Sequence, residues 1–198
     1  MSDKTLKNAL IILVVLLVLV FVWQPLSRLF NAPPITNDFV LETASGRLDS
    51  RDLRGNVLAI SFAYGHCEDE CSDRLARLAA GLRLLSPRDQ SLVRAIVVSV
   101  DPDRDTPARM ADYVKRFKAD MIGAVANPES LKAFAESFAA AYRKMPVAAD
   151  GTYRVDHNHP IYLVGTAGHF VSALNENLTP EQIAQALRAK LPPLMPPG

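Results

Sequence analysis

Cysteine is almost missing from this 198-residue chain: Cys67 and Cys71 are the only two, four residues apart in "AYGHCEDECSD". One bridge at most can form within the chain, so its stability rests on an apolar core and not on a disulfide framework. An excess of one charge is missing too. Lysine plus arginine (22) nearly balances aspartate plus glutamate (21), the net charge is +1, and basic runs or basic-aromatic interleaving are lacking, which removes nucleic acid from the partners. A third absence concerns the N-terminus. The segment "LSRLFNAPP" after the first apolar run holds no good small-x-small cleavage site, which argues against a cleaved signal peptide.

That run is the most prominent thing present. Residues 9–23, "ALIILVVLLVLVFVW", carry no charged or polar side chain, and Pro25, Leu26 and Leu29 extend the apolar character. A helix rising about 1.5 Å per residue needs roughly 20 mostly apolar residues to cross a bilayer. The expectation is one transmembrane anchor over 9–28, behind a cytoplasmic N-terminus of 1–8. Lys4, Lys7 and the amino terminus precede it and only Arg28 follows closely, so the positive-inside rule sends the rest of the chain outward, with Trp23 at the far interface. Cysteines there can be both oxidised and reduced. Residues 29–38, with Pro33 and Pro34, read as a stiff spacer.

The length allows one folded domain, expected over 39–192, with 193–198 as a disordered tail. Alternation around Ser45-Gly46 gives way to an apolar run at 57–64, a buried strand with the cysteines at its end. Leu75, Leu78, Ala79, Leu82 and Leu85 recur at helical spacing, and Ser86-Pro87 closes that helix. A second buried strand ends at Asp101, followed by a helix capped by Asp105 or Thr106 with Pro107 in its first turn. A short strand at 121–126 leads to a helix at 128–141. Antiparallel strands then turn at Asp150-Gly151 and Ala167-Gly168, and a capped helix starts at Thr179. The class is α/β, a mixed sheet covered by helices on both sides.

On a helix, positions i and i+4 share a face, which would put the two Cα atoms roughly 6 Å apart, within reach of a bridge or a common metal ion. The loop outside the carboxyl end of a sheet strand is where α/β folds keep reactive groups. A purely structural staple is the weakest reading, because a bridge across four residues restrains little unfolded chain. Glu68, Asp69 and Glu70 raise the thiol pKa and so disfavour a nucleophilic thiolate, whereas a metal ion displaces thiol protons and tolerates acidic neighbours. The same acids also suit a solvated helix start. Two sulfurs bind Cu(I), and a third donor such as imidazole makes a site for both copper oxidation states. His169 sits in a turn and reads as solvated; His66 abuts Cys67 but reads as outer-sphere or structural. His157 and His159 are two apart in "VDHNHP", so in a strand both project to one side and either could face the cysteines, with Asp156 as a neighbouring carboxylate.

Three blocks, in order, carry a family resemblance: "FAYGHCEDEC", "VSVDPDRDTPARMADYV" and "YRVDHNHPIYLVGTAGHF". They resemble the SCO/SenC family of membrane-anchored, thioredoxin-fold copper proteins, across essentially the whole chain after the spacer. The resemblance implies a thioredoxin-like domain binding one copper, as Cu(I) or Cu(II), through Cys67, Cys71 and His157. It makes His159 an extra ligand or a spare, and Asp101, with Asp156, a candidate for supporting the ligands from outside. It further implies a metallochaperone delivering copper to the dinuclear copper site of a cytochrome c oxidase subunit, with an upstream copper donor, in the inner membrane of a bacterium with the soluble domain in the periplasm. Two alternatives stay open, a thiol-disulfide oxidoreductase in which Cys67 attacks and Cys71 resolves, and a redox or copper sensor. A peroxide-reducing relative would need Pro-x-x-x-Thr-x-x-Cys, which is absent. The chain departs from the family at Glu68, Glu70 and Ser72, where members commonly carry proline after each cysteine and an apolar residue before the second.

Overall fold

The computed structural model describes residues 38–67, 70–158 and 160–193, with only the backbone of Glu70. The expected anchor at 9–28, the N-terminus before it, most of the spacer, Glu68, Asp69, His159 and nearly all of the tail lie outside the described residues. Among the described residues no helix is long and apolar enough to cross a membrane.

Strands β1 (Val40–Thr43) and β2 (Gly46–Asp49) pair antiparallel, with Gly46 at φ +109°, a left-handed value glycine takes without strain. After a 3-10 turn at Ser50–Leu53 comes β3 (Val57–Ala63), buried at every position. Its residues divide by period two, Val57, Ala59 and Ala63 entering one half of the core and Leu58, Ile60 and Phe62 the other. Helix α1 (Glu70–Arg83) and the short α2 (Pro87–Ser91) return the chain to β4 (Val93–Ser99), which pairs parallel with β3. Helix α3 (Pro107–Lys115) returns it again to β5 (Met121–Val125), parallel to β4. A parallel pair needs such a crossover, and both faces of the sheet are then buried.

Helix α4 (Pro128–Ser137) covers the opposite face, where Phe134 stacks with Phe39, Phe62 and Phe138. It stops short of residue 141 because Ala139 turns left-handed at φ +53°. The caps of α3 and α4 follow one rule: Thr106 and Asn127 each accept a backbone N–H, and each is followed by proline, whose missing N–H costs nothing there. Asp105 does not cap. Its carboxylate turns inward to Ser99.

The expected meander is split between two sheets. Among the described residues β6 (Tyr142–Lys144) and β7 (Val155–His157) pair only with each other, as a two-stranded ribbon. β8 (Ile161–Val164) and β9 (Phe170–Leu174) join the main sheet beside β3, giving the order β2-β1-β5-β4-β3-β8-β9. Between the two sets, Asn158 accepts from the Ala141 N–H and donates to the Ala139 carbonyl, and Pro160 has no N–H to give a ladder, so the strand cannot run through. Helix α5 (Pro180–Arg188), opened by a Thr179–Gln182 capping box, packs beside α1 on the first face through Ile183 and Leu187.

Candidate metal centre

β3 runs out at Ala63, and the chain closes a turn in which the Cys67 N–H donates to the Tyr64 carbonyl at 2.9 Å. Three side chains, Asp105, Tyr113 and Ser72, contact this turn. The Gly65 N–H donates to the buried Asp105 carboxylate at 2.9 Å, and any Cβ at Gly65 would come within 2.7 Å of the other Asp105 oxygen. The Tyr113 hydroxyl donates to the Cys67 carbonyl at 3.1 Å, and Ser72 Oγ approaches the same oxygen at 3.4 Å. Cys71 is the second residue of α1. The two cysteines are joined as a disulfide, Cα atoms 5.8 Å apart, so the structure shows the oxidised dithiol.

His157 ends β7 on its buried side. Its Nδ1–H donates to the Val155 carbonyl at 3.1 Å, and its Nε2 lies 3.6 Å from Cys71 Sγ. Burial is the largest influence on the ring and pushes its pKa below the usual histidine value, favouring the neutral form that can donate to a metal. One ring nitrogen of His157 and the two sulfurs all lie within 4.8 Å of one another, and all three residues are buried. Two thiolates with a neutral imidazole form a soft-to-borderline donor set suited to copper in either oxidation state. The three residues face a cleft of about 430 Å³ bounded by Tyr64 on one side and by Met145, Pro146, Tyr153 and Val155 of the ribbon on the other.

Asp101 is buried near this cleft, but its bonds run to the Tyr153 hydroxyl, at 2.8 Å, and to Arg104. Asp156 alternates outward and faces Arg143 at 3.5 Å in solvent; the ring of His157 is steadied from behind by a backbone carbonyl instead. His66 is exposed and lies against Arg109. His169 is half-buried in the β8–β9 turn, and His159 lies outside the described residues. Sequence reasoning passed over Tyr153, Arg104, Tyr113 and the inward role of Asp105. One signal for Tyr153 was available: it stands two and four residues before Val155 and His157, the period that puts all three on one side of a strand.

Residues 29–191 match the family model described as SCO1/SenC. The Danio rerio protein named "Protein SCO2 homolog, mitochondrial" is 34% identical over 168 residues, covering 83% of this chain and 60% of that protein. The Homo sapiens "Protein SCO1 homolog, mitochondrial" is 28% identical over 171 residues, covering 84% of this chain and 56% of that protein. The chain therefore spans less than two thirds of either relative. Among solved structures, Bradyrhizobium japonicum ScoI with copper bound superposes with a TM-score of 0.72 at 35% identity, over 79% of this chain and 99% of that one. Yeast Sco1 with copper bound gives 0.69 at 26% identity, over 79% and 88%. The chain shares their mixed α/β, thioredoxin-like fold.

Proposed function

The chain belongs to the SCO1/SenC family, and from that premise we propose that it is a copper metallochaperone. Copper is its cargo. Cys67 and Cys71, once reduced to thiolates, hold the ion together with His157, and the convergence of their donor atoms within 4.8 Å is the observation that carries the reading. Thiolates suit Cu(I), and the imidazole extends the site to Cu(II). Release is ligand exchange: an incoming thiolate of the acceptor enters through the cleft and displaces one donor at a time. The acceptor is the dinuclear copper site of a cytochrome c oxidase subunit at the outer face of a bacterial inner membrane. An upstream donor loads the protein, and residues 9–28 anchor it with its domain in the periplasm.

The test is titration of the reduced chain with Cu(I) and with Cu(II). One equivalent of each is taken up, and Cu(II) gives a sulfur-to-copper charge-transfer band. His157→Ala loses tight Cu(II) binding and keeps its dithiol reactivity. Unchanged Cu(II) affinity in that variant, or no stoichiometric uptake by the parent, overturns the ligand set.

The closed disulfide favours a second reading, thiol-disulfide exchange with the acceptor. The Cys67 thiolate attacks an acceptor disulfide and forms a mixed disulfide; Cys71 then displaces it, closing the Cys67–Cys71 bond and leaving two acceptor thiols. Two electrons and two protons pass to the acceptor. Under this reading His157→Ala retains acceptor reduction in full.

A further inference from the structure

The sulfurs and the imidazole reach the metal centre on separate pieces of backbone. Cys67 and Cys71 stand on the β3–α1 connection, His157 on the β6–β7 ribbon, and among the described residues no strand ladder joins that ribbon to the main sheet. The His157 ring meets the Phe62 backbone of β3 directly, and both pieces are also tied to the segment between β4 and α3. Gly65 of the cysteine turn is bonded to Asp105. From the ribbon, Tyr153 donates its hydroxyl to Asp101 at 2.8 Å, and Lys144 reaches Asp103 at 3.0 Å.

Arg104 lies where these ties meet. Its guanidinium sits 3.5 Å from the centre of the Tyr153 ring, on the ribbon, and 5.8 Å from that of Tyr64, on the cysteine turn. Asp101 pairs with Arg104 while accepting from Tyr153, so one buried carboxylate fixes both partners of the stack. A guanidinium over an aromatic face is attractive, and its planar fork can meet a carboxylate at the same time, which an ammonium would do less well. Tyr64 completes the chain of contacts by meeting the His157 ring edge-on, centroids 5.9 Å apart.

We propose that Arg104 and Tyr153 are positioning residues of the metal centre: their stack, fixed by Asp101, sets the imidazole of His157 against the two sulfurs and so governs how strongly the site prefers Cu(II). The inference rests on the copper reading above and adds residues to it. Two sulfurs satisfy Cu(I) by themselves, whereas Cu(II) draws on the nitrogen donor. Loosening the ribbon therefore weakens the two oxidation states unequally.

The experiment compares the reduced chain with Tyr153→Leu, Arg104→Met and Tyr153→Phe, by titration with Cu(I) and Cu(II) and by amide hydrogen exchange without metal. Tyr153→Leu and Arg104→Met lose about 10- to 100-fold in Cu(II) affinity, the range found when outer partners of metal ligands are removed, and keep Cu(I) uptake. Tyr153→Phe keeps its ring over Arg104 but not its bond to Asp101, and falls between them and the parent. In the metal-free proteins, amides of β6 and β7 exchange faster while those of β3 and β4 do not. Parent-like Cu(II) affinity in both severe variants overturns the proposal. So does an equal loss for both oxidation states, or faster exchange throughout the sheet, since either marks a general loss of structure. If the parent takes up no copper, the chaperone reading fails, and the exchange pattern still decides whether Arg104 and Tyr153 hold the ribbon.

Discussion

Tyr113 is a core residue with a polar tip: its ring is 1% exposed against the sheet, while its hydroxyl supports the Cys67 carbonyl at 3.1 Å. Tyr113→Phe removes that donor, while Ser72 Oγ stays 3.4 Å from the carbonyl. The expected cost is about 1 kcal/mol, the usual net value of a buried hydrogen bond. Urea unfolding checks it, and an unchanged midpoint would show that the turn does not need the bond. At this scale the sequence is legible where residue types are scarce. Two cysteines stand out at once, but among four histidines periodicity leaves His157 and His159 equivalent, and only the family resemblance selects His157. Arg104 and Tyr153 do not stand out. An arginine just before a helix reads as solvated, and its stacking partner lies 49 positions away, beyond any local pattern.

Among elements, β5 and α3 approach closely at Gly123. A Cβ on Gly123 would fall 2.3 Å from the Met110 carbonyl oxygen, and backbone cannot step aside as a side-chain tip can. Gly123→Ala is therefore expected to destabilise by about 1 to 3 kcal/mol, the range for overpacking a filled core. Its effect belongs in the denaturation midpoint, with copper stoichiometry of the folded fraction unchanged; a neutral result would mean that α3 can lift from the sheet without loss. Most helices were legible from periodicity and from capped starts such as Thr179, but Ser86-Pro87, which reads as the close of α1, instead caps the short α2, with Ser86 accepting from the Asp89 N–H. The strands after residue 141 were legible only as strands. Alternation marks which face is buried but not which neighbour a strand takes, so the placing of β6 and β7 in a ribbon and of β8 beside β3 had no local signature.

For the whole molecule, redox state and stability are linked through the same two sulfurs. Opening the Cys67–Cys71 bond returns conformational freedom to the unfolded chain, worth about 2 kcal/mol for so short a loop in the chain-entropy description. The reduced protein, however, gains a ligand site, and copper at a hundred times its dissociation constant returns about 2.7 kcal/mol. Melting of the oxidised form is thus expected to ignore added Cu(I), while the reduced form melts lower without the ion and recovers with it. A copper-induced rise in the disulfide form, followed by calorimetry, would show that the ion binds elsewhere.

The ribbon of β6 and β7 is an arm, and the sheet, with the turn and helix that carry the sulfurs at the end of β3, is a frame. Val147 stands exposed in the loop that joins β6 to β7, which offers an acceptor a hold on the element carrying the nitrogen. An acceptor leaning there would peel away one donor of three, and what it would meet is an ion already down to its sulfur pair.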